Sequence, residues 1–412
     1  MKWMKLAFLL PLYFILHSCL EPFSATVGDD ATNLLVVDGL ISNENAAHKV
    51  ILTRSLSNID QEIIPVTGAL VIIEDDLGNK TELAENEDGI YETDPNTFQG
   101  VPGRTYQLYI KTQERKVYQS EPCFMQPPSE IDEVYYSPGN NPDSISNRKY
   151  TGLGIFVSGH AETEEIEYLR WAFEEDWKFR VPFGHDEVPA PDGSLQPVVP
   201  KRYCWKSAVS SKILLHAFSN QTQQKVEAKE LYFIDSENTD KLNLRYSTII
   251  KQYSISKDEY DFWRKLDQSN SDVSNIFGEQ PYTIKGNIKN IDNPDENVLG
   301  YFQVAGVATK RMYIDNSEIR PLRLPMKEFY ITCSSDSLLL ADLNEGSDPN
   351  NPNYESIYEV YDTFILSGDY GYELAYMVET GTGTVIGLAV STAQCCDCTL
   401  QGELDPPDFW VD

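Results

Sequence analysis

The cysteines are the residues whose type and spacing most directly suggest chemistry. Cys19 stands at the end of an apolar run, and the rest of the chain holds an even number of cysteines, namely Cys123, Cys204, Cys333, Cys395, Cys396 and Cys398. In an exported protein this favours disulfides, and six cysteines allow up to three. The cluster at 395–398 is also compatible with a thiolate metal site. A zinc site commonly includes a histidine, however, and no histidine follows His216, so we predict disulfides and no metal site.

Sequence motifs of the common hydrolases are missing. The chain contains neither a His-Glu-x-x-His motif nor a Gly-x-Ser-x-Gly turn. The glycine-rich segment 381–387 lacks the spacing of a phosphate-binding loop, and the acidic segment 342–348 departs from EF-hand spacing. Paired carboxylates such as Glu174-Glu175 are expected by chance among 64 Asp and Glu. The sequence therefore predicts no catalytic residues and no cofactor. A hydrolase of surface polymers is the alternative, and it would need two carboxylates facing each other across a cleft.

Aromatic side chains are the other candidates for a binding site. The chain has 24 Tyr, 17 Phe and 6 Trp, and exposed Tyr and Trp make good contact surfaces for sugars, peptides or protein partners. In β-sandwiches most such residues pack in the core or across strands instead. A long loop at 181–200 is rich in proline and glycine. We predict that any binding surface is formed by the aromatic residues that flank this loop, namely Trp171, Trp177, Tyr203 and Trp205.

Composition and charge exclude several classes of protein. The 412 residues carry 33 Lys or Arg against 64 Asp or Glu, a net charge of −31. A nucleic-acid-binding protein needs clustered basic residues, so this class is excluded. An anionic lipid surface would also repel the chain, so membrane attachment requires something other than a basic patch.

The first residues have the pattern of an export signal. Lys2 and Lys5 precede an apolar run that ends at Leu16 and is too short to span a bilayer. The segment 16–19, Leu-His-Ser-Cys, resembles the bacterial lipobox, in which the cysteine is acylated. We therefore predict a signal peptide over 1–18, a lipid anchor on Cys19 and a flexible tether over 19–32. An ordinary secreted protein is the alternative.

Short strands dominate the pattern after the tether. Alternating apolar residues and Gly or Asn-Asp turns recur about every ten residues, which is typical of an all-β sandwich. The turns at 65–71, 88–91 and 103–106 resemble those of prealbumin-like modules of extracellular proteins. We predict an Ig-like or prealbumin-like β-sandwich over 33–125, which ends at the prolines near residue 127.

Residues 126–412 are predicted to form a larger β-rich domain with one or two short helices and a cysteine-containing tail. One helix is expected over 257–268. Ser256 and Glu259 form a capping-box pattern at its start, and Ile255 and Tyr260 can pack as a hydrophobic staple. The fold class is therefore predicted to be mostly all-β.

Four local patterns together resemble a family of lipoproteins of the Bacteroidota, domain of unknown function 4249. They are the segment Val-Val-Asp-Gly-Leu-Ile at 36–41, the Gly-x-Tyr and Gly-Arg-Thr-Tyr turns, the segment Leu-Gly-Tyr-Phe at 299–302, and a tail with Asp-Cys at 397–398 and Pro-Asp-Phe-Trp at 407–410. The resemblance extends over the whole chain after the signal, and the tail is its most specific element.

The resemblance implies a β-rich outer-membrane lipoprotein, often encoded near TonB-dependent transporters, with no established reaction. From it we expect a non-enzymatic binding or accessory protein, held at the membrane through Cys19, with a TonB-dependent transporter as partner. An adhesion or structural lipoprotein is a further alternative. The occupied membrane face, periplasmic or cell-surface, is left open, because only one acidic residue, Glu21, lies in the five positions after Cys19.

Overall fold

The structure is a computed structural model that describes residues 33–56, 62–142, 149–161, 163, 166–218, 224–272, 284–326, 333–345 and 355–411. The predicted signal peptide, Cys19 and tether lie outside these residues. Within the described ranges, no helix is both long enough and apolar enough to cross a membrane.

Strands make up 48% of the described chain and helices 13%, which confirms the predicted fold class. The first ten are β1 (Leu35–Ser42), β2 (Lys49–Arg54), β3 (Ile64–Pro65), β4 (Leu70–Asp75), β5 (Lys80–Glu82), β6 (Ala84–Glu87), β7 (Ile90–Glu92), β8 (Thr105–Lys111), β9 (Val117–Ser120) and β10 (Cys123–Phe124). The next eleven are β11 (Glu130–Pro142), β12 (Lys149–His160), β13 (Tyr168–Arg180), β14 (Glu187–Pro189), β15 (Leu195–Pro197), β16 (Tyr203–Val209), β17 (Leu214–Ala217), β18 (Lys225–Asp235), β19 (Arg245–Ile255), β20 (Ile288–Asn290) and β21 (Leu299–Asp315). The last three are β22 (Asp336–Leu339), β23 (Tyr372–Glu379) and β24 (Val385–Thr392).

One long helix and several short ones complete the described elements. They are α1 (Lys257–Asp272), α2 (Asn316–Ile319), α3 (Leu340–Leu343), α4 (Ile357–Tyr361) and α5 (Ala393–Cys396), with 3-10 turns at Arg320–Leu322 and Cys398–Leu400 and a π-helical turn at Asp362–Leu366.

The first sandwich packs two sheets around one apolar core. One sheet contains β1, β2, β7 and β6, and the other has the strand order β20-β9-β8-β4-β5. Strand β8 shows why the sheets pack, because its alternate residues Tyr106, Leu108 and Ile110 are buried in the core. Residues 33–125, the predicted first domain, do not close this sandwich alone. Strand β20 pairs with β9, and Phe302 on β21 lies in the same core.

The second sandwich uses the same principle with longer strands. A sheet of β11, β12 and β18 packs over the strands β13, β19, β16 and β17. On β13 the alternate residues Leu169, Trp171 and Phe173 are buried, as the sequence pattern predicts. The core of this sandwich is separate from that of the first.

Strand β21 joins the two sandwiches into one ten-stranded sheet. Its first half pairs in parallel with β1, starting with Val36 opposite Leu299. Its second half pairs antiparallel with β19, ending with Arg245 opposite Asp315. At about 3.3 Å per residue, β21 is roughly 55 Å long. The pairing brings together residues about 260 positions apart, which local sequence patterns cannot predict.

Gly300 permits the parallel pair of β1 and β21. Its backbone has a φ of +88°, and a Cβ atom there would lie 1.9 Å from the carbonyl oxygen of Val37. A side chain at this position would therefore collide with the backbone of the neighbouring strand. Only glycine combines the left-handed conformation with so close an approach.

Helix α1 begins where the sequence predicts and is longer than predicted. It spans Lys257–Asp272, and the backbone N–H of Glu259 donates to the Ser256 side chain at 3.2 Å. Ile255 and Tyr260 belong to one hydrophobic cluster, in agreement with the predicted staple. The Glu259 carboxylate accepts a hydrogen bond from Trp263 Nε1 at 3.3 Å.

The C-terminal unit is a three-stranded sheet, β22-β24-β23, with α4 packed against it. Two disulfides hold it. Cys333–Cys395 closes the unit, and Cys204–Cys398 ties the chain after it to β16. Cys123 and Cys396 are free thiols. Disulfides are thus present as predicted, but Cys123 and Cys396, two of the six predicted cysteines, lie in different parts of the molecule and do not pair.

A thiol count tests this pairing. A Cys19→Ala variant, denatured without reductant, is expected to react with two equivalents of a thiol reagent, at Cys123 and Cys396. Burial raises the pKa of both thiols to about 12, so the folded protein should react much more slowly. A count of zero or four in the denatured protein would contradict the pairing.

Candidate functional site

The structure separates the four aromatic residues predicted to form a binding surface. Trp171 is fully buried and donates its indole N–H to Gln252 Oε1 at 2.8 Å. Its inclusion in a surface is therefore corrected: β13 turns this ring into the core of the second sandwich. Tyr203 is 41% exposed and is not among the residues that line the pocket described below. Trp177 and Trp205 are brought together on neighbouring strands.

Trp177 and Trp205 line a pocket of about 520 Å³, which we call the tail pocket. Strands β13 and β16 form one wall, and the chain after the last 3-10 turn forms the other. Its lining residues are Trp177, Trp205, Lys206, Ser207, Gln401, Gly402, Glu403, Asp405, Pro406 and Pro407. This volume lies in the range of small-molecule and side-chain binding sites.

Hydrogen bonds fix the strand wall of the pocket. Trp177 Nε1 donates to Asp240 Oδ1 at 2.9 Å, and Lys206 Nζ donates to Asp240 Oδ2 at 2.8 Å. The Lys241 ammonium lies over the Trp177 ring, 5.0 Å from its centroid. Asp240 therefore neutralises the lysine of the wall and holds both side chains in place, so the wall is preorganised.

The tail wall is fixed by four kinds of contact. The backbones of Trp205 and Glu403 exchange hydrogen bonds of 2.8 and 2.9 Å. The disulfide at Cys398 anchors the start of the tail to β16. Further on, the Trp410 ring meets the Trp205 ring edge-on, at a centroid distance of 6.2 Å. The Phe409 ring lies under the Arg311 guanidinium at 3.4 Å. The tail is thus an integral part of the fold.

The polar groups of the residues that line the pocket differ in their exposure. The indole Nε1–H of Trp205 is buried and has no hydrogen-bond acceptor in the described part of the chain. Such a donor costs about 1–3 kcal/mol when it is left unsatisfied. Glu403 and Asp405 are exposed and place two carboxylates at the rim. The pocket therefore combines aromatic surface with negative charge at its rim, and the buried indole donor lies out of reach of a ligand.

A second polar cluster lies where α1 covers the junction of the two sandwiches. The Arg170 guanidinium lies 4.4 Å from the centroid of Tyr253 and donates to Gln303 Oε1 at 3.0 Å. Burial raises the pKa of the Glu259 carboxyl to about 7, and the charge of Arg170 opposes this shift only in part. The side chains are packed under α1 and line no part of the tail pocket, so we assign them to the junction of the sandwiches.

Glu259 makes stability depend on pH. The pKa of Glu259 is about 7 in the folded protein and 4.5 ordinarily, so the folded state favours the protonated carboxyl. This contribution to the free energy of unfolding is complete below pH 4.5 and is lost as the pH rises through about 7. The loss is about 3 kcal/mol. We expect Glu259→Gln to flatten urea-midpoint profiles over this window. Glu379→Gln, at an exposed site, is the control. Equal slopes in Glu259→Gln and wild type would contradict the assignment.

Sequence reasoning found one wall of the pocket and missed the other. Asp240 and the tail residues Gln401–Pro407 carry no motif. Asp240 is 63 residues from Trp177, and Glu403 is 198 residues from Trp205. The pairing of Cys204 with Cys398 places the tail beside β16, but this pairing cannot be deduced from the spacing of the cysteines. Among the described residues, no group of three or more His, Cys, Asp or Glu side chains is placed to hold a metal ion.

Comparison with known proteins gives one match. The family model described as a domain of unknown function (DUF4249) matches residues 20–311. No curated protein matches the chain. The matched segment contains both sandwiches and stops within β21. The C-terminal sheet and the cysteine-containing tail lie outside it, which corrects the expectation that the resemblance extends through the tail. Because the matched segment is more than half of the 412 residues, this chain belongs to the DUF4249 family.

Proposed function

We propose that this protein is a lipoprotein anchored in the outer membrane through Cys19, and that its folded part binds a partner without catalysing a reaction. The observation that carries the proposal is the tail pocket, a preorganised cavity lined by two tryptophans with two carboxylates at its rim. The partner we propose is a TonB-dependent transporter or its cargo, following from the family context. The protein would act as an accessory to transport.

The position of the pocket along β21 supports this proposal. The chain enters the sheet at β1, where Val36 lies opposite Leu299. Lys206 on β16 and Trp177 on β13 lie opposite each other at the pocket. This row of paired residues continues across β19 to Ile314 on β21. Fifteen residues of β21 separate the two rows, which is about 50 Å along the strand. An anchor at the amino terminus would therefore hold the protein at one end and leave the pocket at the other.

The free groups of the pocket favour a particular occupant. The rim carboxylates of Glu403 and Asp405 favour hydrogen-bond donors or a positive charge. The tryptophan rings supply apolar contact. A peptide segment suits both features, because it carries N–H groups and apolar side chains. We therefore propose that the partner inserts a loop or a chain end.

Affinity purification from detergent-solubilised outer membranes tests the proposal. An affinity tag inserted at residues 20–32 leaves the tail unchanged. We expect a transporter to copurify in stoichiometric amount with the unaltered pocket. Glu403→Lys together with Asp405→Lys should abolish copurification, since both side chains are exposed and their charge can be reversed without disturbing the core.

Matched charge reversals separate a pocket effect from a general effect of charge. Glu62→Lys together with Glu82→Lys changes the net charge by the same amount at exposed positions of the first sandwich. This variant should retain the partner. Recovery of the protein alone, or equal loss of the partner in both variants, would contradict a binding role for the tail pocket.

A further inference from the structure

An exposed aromatic patch lies on the C-terminal unit, away from the tail pocket. It consists of Phe364, Leu366, Tyr370 and Tyr372, around the turn that leads into β23. Tyr370 is 54% exposed and Leu366 is 55% exposed. The rings of Phe364 and Tyr370 lie 5.0 Å apart, and those of Tyr370 and Tyr372 are parallel at 6.5 Å. Such rings are amphipathic; Tyr370 is exposed to solvent, while Phe364 and Tyr372 are half-buried against the core of the unit.

The segment that carries the patch has charge of one sign only. Residues 328–412 contain 16 Asp or Glu and no Lys, Arg or His. This last fifth of the chain therefore carries about half of the net charge of −31. Asp362 and Asp369 flank the patch and are exposed. Excess negative charge costs stability through self-repulsion, and no basic residue within the unit offsets it.

Elsewhere in the molecule, cationic side chains lie over aromatic rings. In the second sandwich, Arg245 lies 4.9 Å from the centroid of Tyr313 and Lys178 lies 5.0 Å from that of Trp205. Among the described residues, no Lys or Arg side chain lies over a ring of the patch. The patch is therefore a set of electron-rich rings in a negatively charged segment, with no cation of the described residues placed over them.

We infer that the aromatic patch docks a segment rich in arginine or lysine on a partner protein. Guanidinium and ammonium groups stack on tyrosine faces, and the flanking carboxylates pair with the same groups. A second copy of this chain fits poorly, because residues 1–327 are also acidic, with 48 Asp or Glu against 33 Lys or Arg. The inference stands apart from the proposed function, since no patch residue lines the tail pocket.

Fluorescence anisotropy with two labelled peptides tests the inference. One peptide alternates arginine and serine over ten residues, and the other replaces arginine with neutral citrulline. We expect the arginine peptide to bind the full mature chain and the citrulline peptide to bind at least tenfold more weakly. Tyr370→Ser should weaken binding of the arginine peptide about threefold, the effect of one exposed cation–π contact. Asp362→Asn with Asp369→Asn should weaken it further and reduce its salt dependence.

Tyr203→Ser is the matched control, since it removes a tyrosine of similar exposure outside the C-terminal unit and leaves the charge unchanged. It should bind the arginine peptide like wild type. Equal affinities of the Tyr370→Ser and Tyr203→Ser variants would overturn the inference, because attraction would then be due to net charge alone. Equal binding of the citrulline peptide would also overturn it and would point to a neutral ligand.

Discussion

Replacing Cys204 and Cys398 with alanine is expected to lower the free energy of unfolding by about 5 kcal/mol. The disulfide closes a loop of 194 residues, and the loss of loop-closure entropy in the unfolded chain grows with loop length. It also fixes the start of the tail against β16. Urea unfolding followed by tryptophan fluorescence measures both effects, because Trp205 and Trp410 meet at the tail.

Cys396→Ala provides the control for this experiment. Cys396 is buried and free, and it stands two positions from Cys398. Its replacement removes a buried sulfur without removing a cross-link, so the cost should be about 1 kcal/mol. If the double alanine variant and the control unfold at the same urea concentration, the disulfide does not stabilise the attachment of the tail to the fold.

Gly300→Ala is expected to separate β1 from β21 and to destabilise the first sandwich by about 4 kcal/mol or more. The new Cβ would overlap the carbonyl oxygen of Val37, and the backbone conformation itself disfavours an L side chain. Hydrogen exchange should show loss of protection in the paired segments 36–42 and 299–305. The second half of β21 pairs with β19 and should stay protected.

Gly381→Ala is the matched control for Gly300→Ala. A Cβ atom at Gly381 would meet no heavy atom within 4 Å, and its φ is not in the left-handed region. This variant should keep the exchange pattern and the stability of the wild type. Unchanged protection in the Gly300→Ala variant would contradict the role of β21 as the strand that joins the two sandwiches.

The sequence predicts local features of this fold well and long-range ones poorly. The alternation in β8 and β13 and the Ser256 cap of α1 are visible because each depends on neighbouring residues. The parallel pairing of β1 with β21 joins Val37 to Gly300 and depends on the whole intervening chain. The motifs at 36–41 and 299–302 are therefore two halves of one structural element.

The candidate site shows the same division. Trp171 and Trp177 are six residues apart on β13 and share one face, so alternation does not distinguish them; Trp171 is fully buried, whereas Trp177 at 8% and Trp205 at 9% keep a small exposed fraction. The tail wall comes from a segment without regular secondary structure, where periodicity carries no information. Its position depends on a disulfide, and connectivity among six cysteines cannot be deduced from spacing.

Mass spectrometry of the mature amino terminus, on protein extracted from its native cells, tests the central claim most directly. We expect the mature chain to begin at Cys19, to carry fatty-acyl groups, and to leave the membrane only with detergent. An unmodified amino terminus, or protein released into the medium without detergent, would contradict a lipid anchor at one end of the molecule and a binding pocket at the other.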